Sequence, residues 1–192
     1  MNIENKVTYI DRCKKLNQLG HVIWLTGLSG AGKSTIAINL EKKLFEMGKH
    51  VYRLDGDDLR TGINKDLGFS EDERNENIRR VSEIAFLFKE AGMIVIAACI
   101  SPFEKMRLNA MNVIGSDYFS EVYISTTLET CIKRDVKGLY KEAIEGRIQS
   151  FTGISSPYEA PKNPKINIDT EKLNISQSVD EIISYLKGKD II

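Results

Sequence analysis

"GLSGAGKST", residues 27–35, carries the strongest structural signal in this 192-residue chain. Its first eight residues fit G-x-x-x-x-G-K-[ST], a glycine-rich loop whose backbone N–H groups surround phosphate oxygens. The apolar run "HVIWLT" (21–26) precedes the loop, and a helical pattern over 33–47 follows it. In such a loop Lys33 reaches the β- and γ-phosphates, and the Ser34 hydroxyl binds Mg²⁺. The stretch predicts a strand, a phosphate-binding loop and a helix that together bind a nucleoside triphosphate.

Strand-like and helical patterns alternate along the rest of the chain. Runs rich in β-branched and aromatic residues occur at 21–26, 50–54, 93–100, 121–125 and 165–169. Helical patterns occur at 33–47, 71–91, 103–114 and 178–187. This alternation predicts βαβ units, hence a three-layer α/β fold of the P-loop NTPase type, with a mostly parallel five-stranded sheet and helices on both faces. From its length we expect one domain over 1–192. Ligands of such a sheet bind at the carboxyl ends of its strands.

Composition argues against several kinds of function. Lys+Arg and Asp+Glu both total 27, so no net charge favours nucleic acid or an anionic membrane. The longest apolar stretch, 91–100, is far shorter than the roughly 20 residues that span a bilayer, and the N-terminus lacks the apolar core of a signal peptide. The three cysteines, Cys13, Cys99 and Cys131, form no C-x-x-C pair, which suits a reducing compartment. We therefore expect a cytoplasmic protein without a nucleic-acid or membrane partner.

"LDGDDLR" (54–60) follows the second predicted strand and so lies at the same sheet edge as the loop. One of its carboxylates, that of Asp55, is suited to the metal and its water, and that of Asp57 to accepting a proton from an attacking hydroxyl. The alternative is structural, since Asp57 or Asp58 also suits the N-cap of a short helix over 58–62.

"LGFSEDERNENIRR" (67–80) combines residue types that recognise nucleotides. Ser70 and Glu73 have capping-box spacing, which predicts that a helix starts there. Arg74, Asn77 and Arg80 then progress along one flank of that helix. Arginine suits phosphate or sulfate, asparagine a base edge or ribose, and Phe69 offers a stacking face. The pattern indicates a pocket for a second nucleotide-like anion, with a solvated surface as the alternative.

Two further segments follow the third and fourth predicted strands. Ser101, before Pro102, is favoured as a helix N-cap, with acceptor contact or phosphoryl-accepting nucleophile as alternatives. The polar segment at about 131–161 contains several glycines and carries Arg134 and Lys137. It predicts a lid that closes over the phosphates. The alternative is a solvent-exposed helix and loop. Its Phe151 either anchors the loop or forms a second stacking face.

Taken in order, these segments resemble the adenylyl-sulfate kinase (APS kinase) family from about Val22 to about Asn163. The matching stretches are "WLTGLSGAGKST", "LDGDDLR", "LGFS", "ERNENIRRV", "ISP", "RDVKGLYK", "FTGI" and "PYEAP". The phosphate loop is generic, whereas "NENIRRV" and "KGLY…FTGI…PYEAP" are specific to this family among small P-loop kinases. The resemblance implies a homodimeric enzyme that uses ATP and Mg²⁺ to phosphorylate the 3′-hydroxyl of adenylyl sulfate.

The resemblance also implies roles for individual residues. Phe69 and Phe151 would stack on the acceptor adenine, and Asp57 would face the 3′-hydroxyl. Ser101 matches a serine described in some members as a phosphorylated intermediate, although direct in-line transfer needs none. The implied acceptor contacts are Arg60, Arg74, Asn77, Ile100, Ser101 and Lys137. The implied ATP-binding residues are Gly27, Leu28, Ser29, Gly30, Ala31, Gly32, Lys33, Ser34, Thr35 and Arg134. The implied Mg²⁺ ligands are Ser34 and Asp55. The implied catalytic residues are Lys33, Asp55, Asp57 and Ser101.

Some positions depart from the family pattern, and two other functions compete. Glu104, Leu108 and Met111 replace typical polar or basic residues, and Ser155 stands where aspartate is usual.

Another small-molecule P-loop kinase, for nucleosides or sugars, would explain the loop but not Phe69 together with "ENIRR" and "FTGI". A non-catalytic nucleotide-binding regulatory module would not need the full set of loop and carboxylate residues.

Overall fold

Five strands alternate with helices along residues 6–192, the part of the chain that the computed structural model describes. The elements, in chain order, are α1 (Tyr9–Leu16), β1 (His21–Thr26), α2 (Lys33–Glu46), β2 (Val51–Asp55), α3 (Gly56–Thr61), α4 (Glu71–Glu90), β3 (Ile94–Ala98), α5 (Glu104–Ile114), β4 (Phe119–Ile124), α6 (Leu128–Arg134), α7 (Leu139–Ile144), β5 (Ile166–Ile168) and α8 (Ile175–Gly188). A short 3-10 helix, Ser116–Tyr118, precedes β4.

The strands form one sheet in the order β2-β3-β1-β4-β5, and every pairing is parallel. The predicted α/β fold with a five-stranded sheet is confirmed, and the sheet is wholly rather than mostly parallel. The central strand β1 pairs with β3 from His21 opposite Ile94 and with β4 from Val22 opposite Phe119. Because β1 and β3 are buried at every position, they needed the nearly unbroken apolar runs seen in the sequence.

Helices cover both faces of the sheet, and alternate residues of β1 point into the two resulting core layers. Ile23 and Leu25 pack in the layer formed with α2 and α8. Val22 and Trp24 pack in the layer formed with α4 and α5. All four side chains are fully buried, which fixes β1 as the centre of the three-layer structure.

Capping boxes start three of the helices. The predicted capping box of Ser70 with Glu73 is present at the start of α4. Helix α8 begins three residues earlier than expected because Asn174 and Gln177 form a second capping box. A third capping box, Thr8 with Asp11, starts the short helix α1, which was not among the predicted helices.

The structural alternative for this segment, in which Asp57 or Asp58 caps a helix over 58–62, is wrong. Helix α3 spans Gly56–Thr61, and its N-cap is Asp55, whose Oδ1 accepts a hydrogen bond from the Asp57 backbone N–H at 3.0 Å. The helix therefore starts directly at the end of β2, and Asp57 lies in its first turn. Within residues 6–192, no helix has both the length and the apolar character needed to cross a bilayer.

Candidate active site

A cavity of about 300 Å³ opens at the carboxyl edge of the sheet. It is bounded by the start of α2, the β2–α3 junction, the first turns of α4, the end of β3 and the segment after α6. Most of the residues selected from the sequence line it: Ser29, Gly30, Gly32, Lys33, Ser34, Thr35, Asp55, Asp57, Arg60, Phe69, Arg74, Asn77, Ile100, Ser101, Lys137 and Phe151. Gly27, Leu28, Ala31 and Arg134 do not line it.

The phosphate loop, residues 27–34, takes a shape that depends on glycine. Gly27 has φ 152°, and a Cβ there would lie 2.6 Å from the carbonyl oxygen of Ile124. Gly32, at the N-cap of α2, has φ 113°, where an L side chain is strained. The loop therefore passes close to β4 and leads directly into the N-terminus of α2, whose free N–H groups and dipole favour an anion.

Lys33 is buried at the first position of α2. Its Nζ donates hydrogen bonds to the carbonyl oxygens of Gly27 at 3.0 Å and Leu28 at 2.8 Å. Burial lowers the pKa of Lys33 to about 8, because solvent no longer stabilises the ammonium. A phosphate oxygen is a stronger partner for this ammonium than a neutral carbonyl.

Arg134 lies behind the phosphate loop. Its guanidinium donates to Thr170 Oγ1 at 2.8 Å and to the Thr170 carbonyl oxygen at 3.0 Å. The carbonyl oxygen of Ala31 accepts from Thr126 at 2.9 Å, from Thr170 at 3.1 Å and from Arg134 at 3.4 Å. On the other side of the loop, the Tyr140 hydroxyl donates to the Ser29 carbonyl oxygen at 2.9 Å. Residues from 126–170 thus brace the backbone of the loop.

The two carboxylates of "LDGDDLR" have different surroundings. Asp55 is buried, and its Oδ2 lies 3.4 Å from Arg53 Nη1. The exposed Asp57 forms an ion pair with Lys137, from the segment between α6 and α7. This contact joins the start of α3 to the region predicted as a lid.

The donor atoms fit Mg²⁺ bound together with a nucleotide. No group of three or more His, Cys, Asp or Glu residues in 6–192 could hold a metal by itself. Ser34 and Asp55, however, line the same cavity as the loop and offer a hydroxyl and a carboxylate. Mg²⁺ is usually held by one or two carboxylates together with waters and substrate phosphates.

Phe69 offers an aromatic face at the cavity. Its side chain is 59% exposed, and the guanidinium carbon of Arg60 lies 4.4 Å from its ring centroid. Arg60 Nη1 also donates to the carbonyl oxygens of Leu67 at 3.0 Å and Gly68 at 2.8 Å, which fixes the chain just before Phe69. The ring is therefore held in position while much of its surface stays accessible.

Phe151 is buried, unlike Phe69, yet it also lines the cavity. Its ring packs edge-on against Tyr140 with centroids 4.9 Å apart. The predicted anchoring of the loop is therefore present, while the stacking of Phe151 on a ligand stays a prediction.

Arg74 links the two segments that carry these aromatic rings. Its Nε donates to the Phe69 carbonyl oxygen at 2.8 Å, Nη1 to Thr152 Oγ1 at 3.1 Å and Nη2 to the Ser150 carbonyl oxygen at 2.6 Å. Arg80, predicted on the same flank, forms ion pairs with Asp66 and Glu76 and does not line the cavity.

Ser101 does not cap α5, so that prediction is wrong. Helix α5 starts at Glu104, with Phe103 at its N-cap. Ser101 has φ 40°, and its Oγ accepts from Trp24 Nε1 at 3.0 Å and donates to the Cys99 carbonyl oxygen at 3.3 Å. These contacts turn the hydroxyl towards the protein interior rather than towards the helix.

Several lining residues were not selected from the sequence: Gly56, Ile78, Ala98, Cys99, Pro102, Val136, Leu139 and Thr152. Ala98 ends β3 and Cys99 follows it, so the strand-end rule was the available signal for both. Burial raises the pKa of the Cys99 thiol to about 12 and keeps it neutral. Thr152 had no local signal, since its place depends on Arg74, 78 residues earlier.

A family model described as Adenylylsulphate kinase matches residues 19–169. The chain belongs to this family. The resemblance stated from the sequence motifs is thereby confirmed.

Individual members of the adenylylsulphate kinase family match almost the whole chain. The adenylyl-sulfate kinase of Clostridium acetobutylicum is 54% identical over 189 residues, covering 98% of this chain and 94% of the relative. That of Staphylococcus epidermidis is 51% identical, covering 98% and 95%. A solved structure of the Mycobacterium tuberculosis APS kinase, in complex with AMPPNP and APS, has a TM-score of 0.85 and 44% identity over 88% of this chain and 99% of that one.

Proposed function

We propose that this chain transfers the γ-phosphoryl group of ATP to the 3′-hydroxyl of adenylyl sulfate, giving ADP and 3′-phosphoadenylyl sulfate. The observation that carries the proposal is the shared cavity. In one space, the phosphate loop meets a second set of aromatic, guanidinium and amide groups suited to another nucleotide. Family membership and the APS kinase with bound AMPPNP and APS support the same assignment.

The donor half of the site consists of residues 27–35. The loop N–H groups and the N-terminus of α2 bind the phosphates of ATP. Lys33 exchanges its two carbonyl partners for phosphate oxygens. Arg134 contributes indirectly, because it holds the Ala31 carbonyl oxygen and thus the loop conformation.

Ser34 and Asp55 would hold Mg²⁺ beside the phosphates. When bound, the ion neutralises charge on the β- and γ-phosphate oxygens. Asp55 also caps α3 by accepting a hydrogen bond from the Asp57 N–H. The carboxylate proposed as a metal ligand therefore also positions the residue proposed as proton acceptor.

The acceptor half lies against the first turns of α4. Phe69 and Phe151 stack on the adenine, while Ile100, Ser101 and Lys137 line the same pocket. The phosphosulfate and sugar are bound by Arg60, Arg74 and Asn77. The guanidinium of Arg74 also joins α4 to the loop carrying Phe151, so acceptor binding and closure of this loop are linked.

The transfer is direct and in line. A bond forms between the 3′-oxygen and the γ-phosphorus while the bond from that phosphorus to the β,γ-bridging oxygen breaks, and ADP leaves with the electron pair. The hydroxyl proton passes to the carboxylate of Asp57, which Lys137 holds at the cavity. Ser101 lines the acceptor pocket but does not act as a nucleophile, because its hydroxyl accepts from Trp24 Nε1 and donates to the Cys99 carbonyl oxygen.

We also propose that the protein is a cytoplasmic homodimer. The three cysteines are all free and buried, which suits a reducing compartment. A hexameric APS kinase from Thiobacillus denitrificans, 30% identical over 91% of this chain and 30% of that one, shows that related chains assemble. Sedimentation velocity tests the dimer, and a concentration-independent monomer mass would contradict it.

A coupled assay of ADP release tests the proposed activity. ADP release should depend on adenylyl sulfate and should not occur with AMP, adenosine or gluconate. Turnover of adenosine or gluconate would instead identify a different small-molecule kinase. Tight ATP binding without turnover of any acceptor would identify a regulatory module.

A further inference from the structure

Asn64 is a buried polar residue that the proposed mechanism does not use. It is completely buried in the turn after α3, where its backbone N–H donates to the Leu59 carbonyl oxygen at 2.9 Å. Its side-chain Nδ2 donates to Asn77 Oδ1 at 3.0 Å. Among residues 6–192, Asn64 Oδ1 has no hydrogen-bond partner. A buried amide with an unpaired oxygen lowers the stability of the folded protein. The hydrogen bond that Asn64 does make, to Asn77 Oδ1, therefore needs a functional explanation.

That hydrogen bond determines which group Asn77 presents to the cavity. A side-chain amide carries an acceptor oxygen on one side and an NH₂ donor on the other. Because Asn64 occupies Oδ1, the Nδ2 group of Asn77 is the one left to face a ligand. Asn77 is buried and lines the cavity, so it has little bulk water to satisfy either group.

The turn that carries Asn64 is fixed from two sides. Arg80 donates to the Ile63 carbonyl oxygen at 3.0 Å and forms a bidentate pair with Asp66 at 2.7 and 2.8 Å. Arg60 holds the end of the turn through the carbonyl oxygens of Leu67 and Gly68. Asn64 is therefore a rigid support for the Asn77 amide rather than a mobile neighbour.

We propose that Asn64 is a positioning residue for the acceptor nucleotide. By occupying Asn77 Oδ1, it directs the Asn77 N–H groups towards a hydrogen-bond acceptor, a ring nitrogen or an oxygen, on the molecule being phosphorylated. This inference rests on the proposed function, since it deepens the role of Asn77 in that site. It predicts selectivity for acceptors that present such an atom at this point.

Asn64→Leu is the decisive variant, because leucine has nearly the shape of asparagine but no donor. It also removes the unpaired oxygen, so the thermal unfolding midpoint should stay equal to that of the wild type or rise. The Asn77 amide is then free to turn, and the KM for adenylyl sulfate should rise about tenfold, the loss expected for one well-placed hydrogen bond. The KM for ATP should change less than about twofold, because the donor half does not contact Asn64. Asn64→Ala serves as a second variant with the same expected split between the two substrates.

A double-mutant cycle separates positioning from a general structural role. If Asn64 acts through Asn77, adding Asn64→Leu to Asn77→Ala should not raise the acceptor KM further. Equal rises in the KM for ATP and adenylyl sulfate, or the same rise in the Asn77→Ala background, would overturn the inference. So would failure of both variants to fold, which would make Asn64 a structural residue. If the wild type is active and the Asn64 variants keep its KM for adenylyl sulfate, this inference alone is refuted. If the wild type is inactive with adenylyl sulfate, the proposed function is refuted as well.

Discussion

Lys33 carries its charge where solvent is largely excluded, and this makes nucleotide binding sensitive to pH. Burial lowers its pKa to about 8, so the ammonium is present below that pH and is lost above it. Phosphate oxygens favour the ammonium, so above about pH 8 binding must be accompanied by proton uptake. We expect the affinity for ATP with Mg²⁺ to be constant below about pH 8 and to fall by up to about tenfold per pH unit above it.

Calorimetric titration across this range measures the effect. Lys33→Met is the control, because without the amine the remaining weak binding should lose this pH dependence. A wild-type affinity that stays unchanged above about pH 8 would show that Lys33 keeps its proton in the unbound protein.

Asp57 and Asp58 are adjacent, yet we expect them to differ in function. Asp57→Asn removes the proposed proton acceptor and should lower kcat by a factor of about 10² to 10⁴, with the ATP dissociation constant changed less than about twofold. Asp58 does not line the cavity, and its carboxylate pairs with Arg53, so Asp58→Asn should retain near-normal turnover. Steady-state kinetics of the two variants test this contrast. Unchanged turnover in Asp57→Asn would remove Asp57 from the mechanism.

At the scale of elements, the start of α4 supports both stability and acceptor binding. Ser70→Ala breaks the capping box and should lower the free energy of unfolding by about 1 kcal/mol. Because Phe69 and Arg74 flank this cap, the KM for adenylyl sulfate should also rise a few-fold. Asn174→Ala is the matched control, since it breaks the capping box of α8, whose residues do not line the cavity. Denaturant unfolding should give similar losses for both variants, and an acceptor KM that rises equally in both would contradict the local role of α4.

Elements with strong periodic patterns were predictable from the sequence, and their exact starts were less so. Strand β1 agreed to the residue, because a buried central strand needs an unbroken apolar run. The start of α5 was wrong because the conformation of Ser101 depends on Trp24, 77 residues earlier in the chain. The N-cap of α3 was misplaced because aspartates 55, 57 and 58 all suit a cap, and the length of β2 decides among them.

At the scale of the whole molecule, His21 couples pH to the stability of the central sheet. It begins β1 in a buried position, with Nε2 2.8 Å from Ser120 Oγ, whose hydroxyl donates to Tyr185 on α8 at 3.0 Å. Burial lowers the pKa of His21 to about 4 from its usual 6.5. Between these two values the His21 imidazole is protonated in the unfolded chain but neutral in the folded chain. The free energy of unfolding therefore falls as the pH drops from about 6.5 to about 4.

The loss attributable to His21 should reach about 3 kcal/mol by the lower end of this range. Urea unfolding at several pH values measures it, with His21→Gln as the control that cannot titrate. The difference in stability between the two proteins should change with pH across this window. Parallel pH profiles would show that His21 does not carry the effect.

Much of the site was predictable because parallel strands bring their carboxyl ends to one edge of the sheet. Asp55, Asp57 and Ser101 follow predicted strands, and the strand-end rule placed all three at the cavity. The position of Arg134 behind the phosphate loop depends on Thr170, from a segment that carried no motif. Asn64 likewise had no signal of its own, because its importance comes from a single contact with Asn77.

The central claim is that one cavity brings ATP and adenylyl sulfate together for transfer to a defined hydroxyl. The most direct test is to incubate the purified protein with ATP, Mg²⁺ and adenylyl sulfate and to identify the phosphorylated product by ³¹P NMR. We predict one new phosphate monoester, on the 3′-oxygen of adenylyl sulfate, formed in equal amount to ADP, and no product from 3′-deoxyadenylyl sulfate. Phosphate on another position, or ADP release that does not require adenylyl sulfate, would contradict the account.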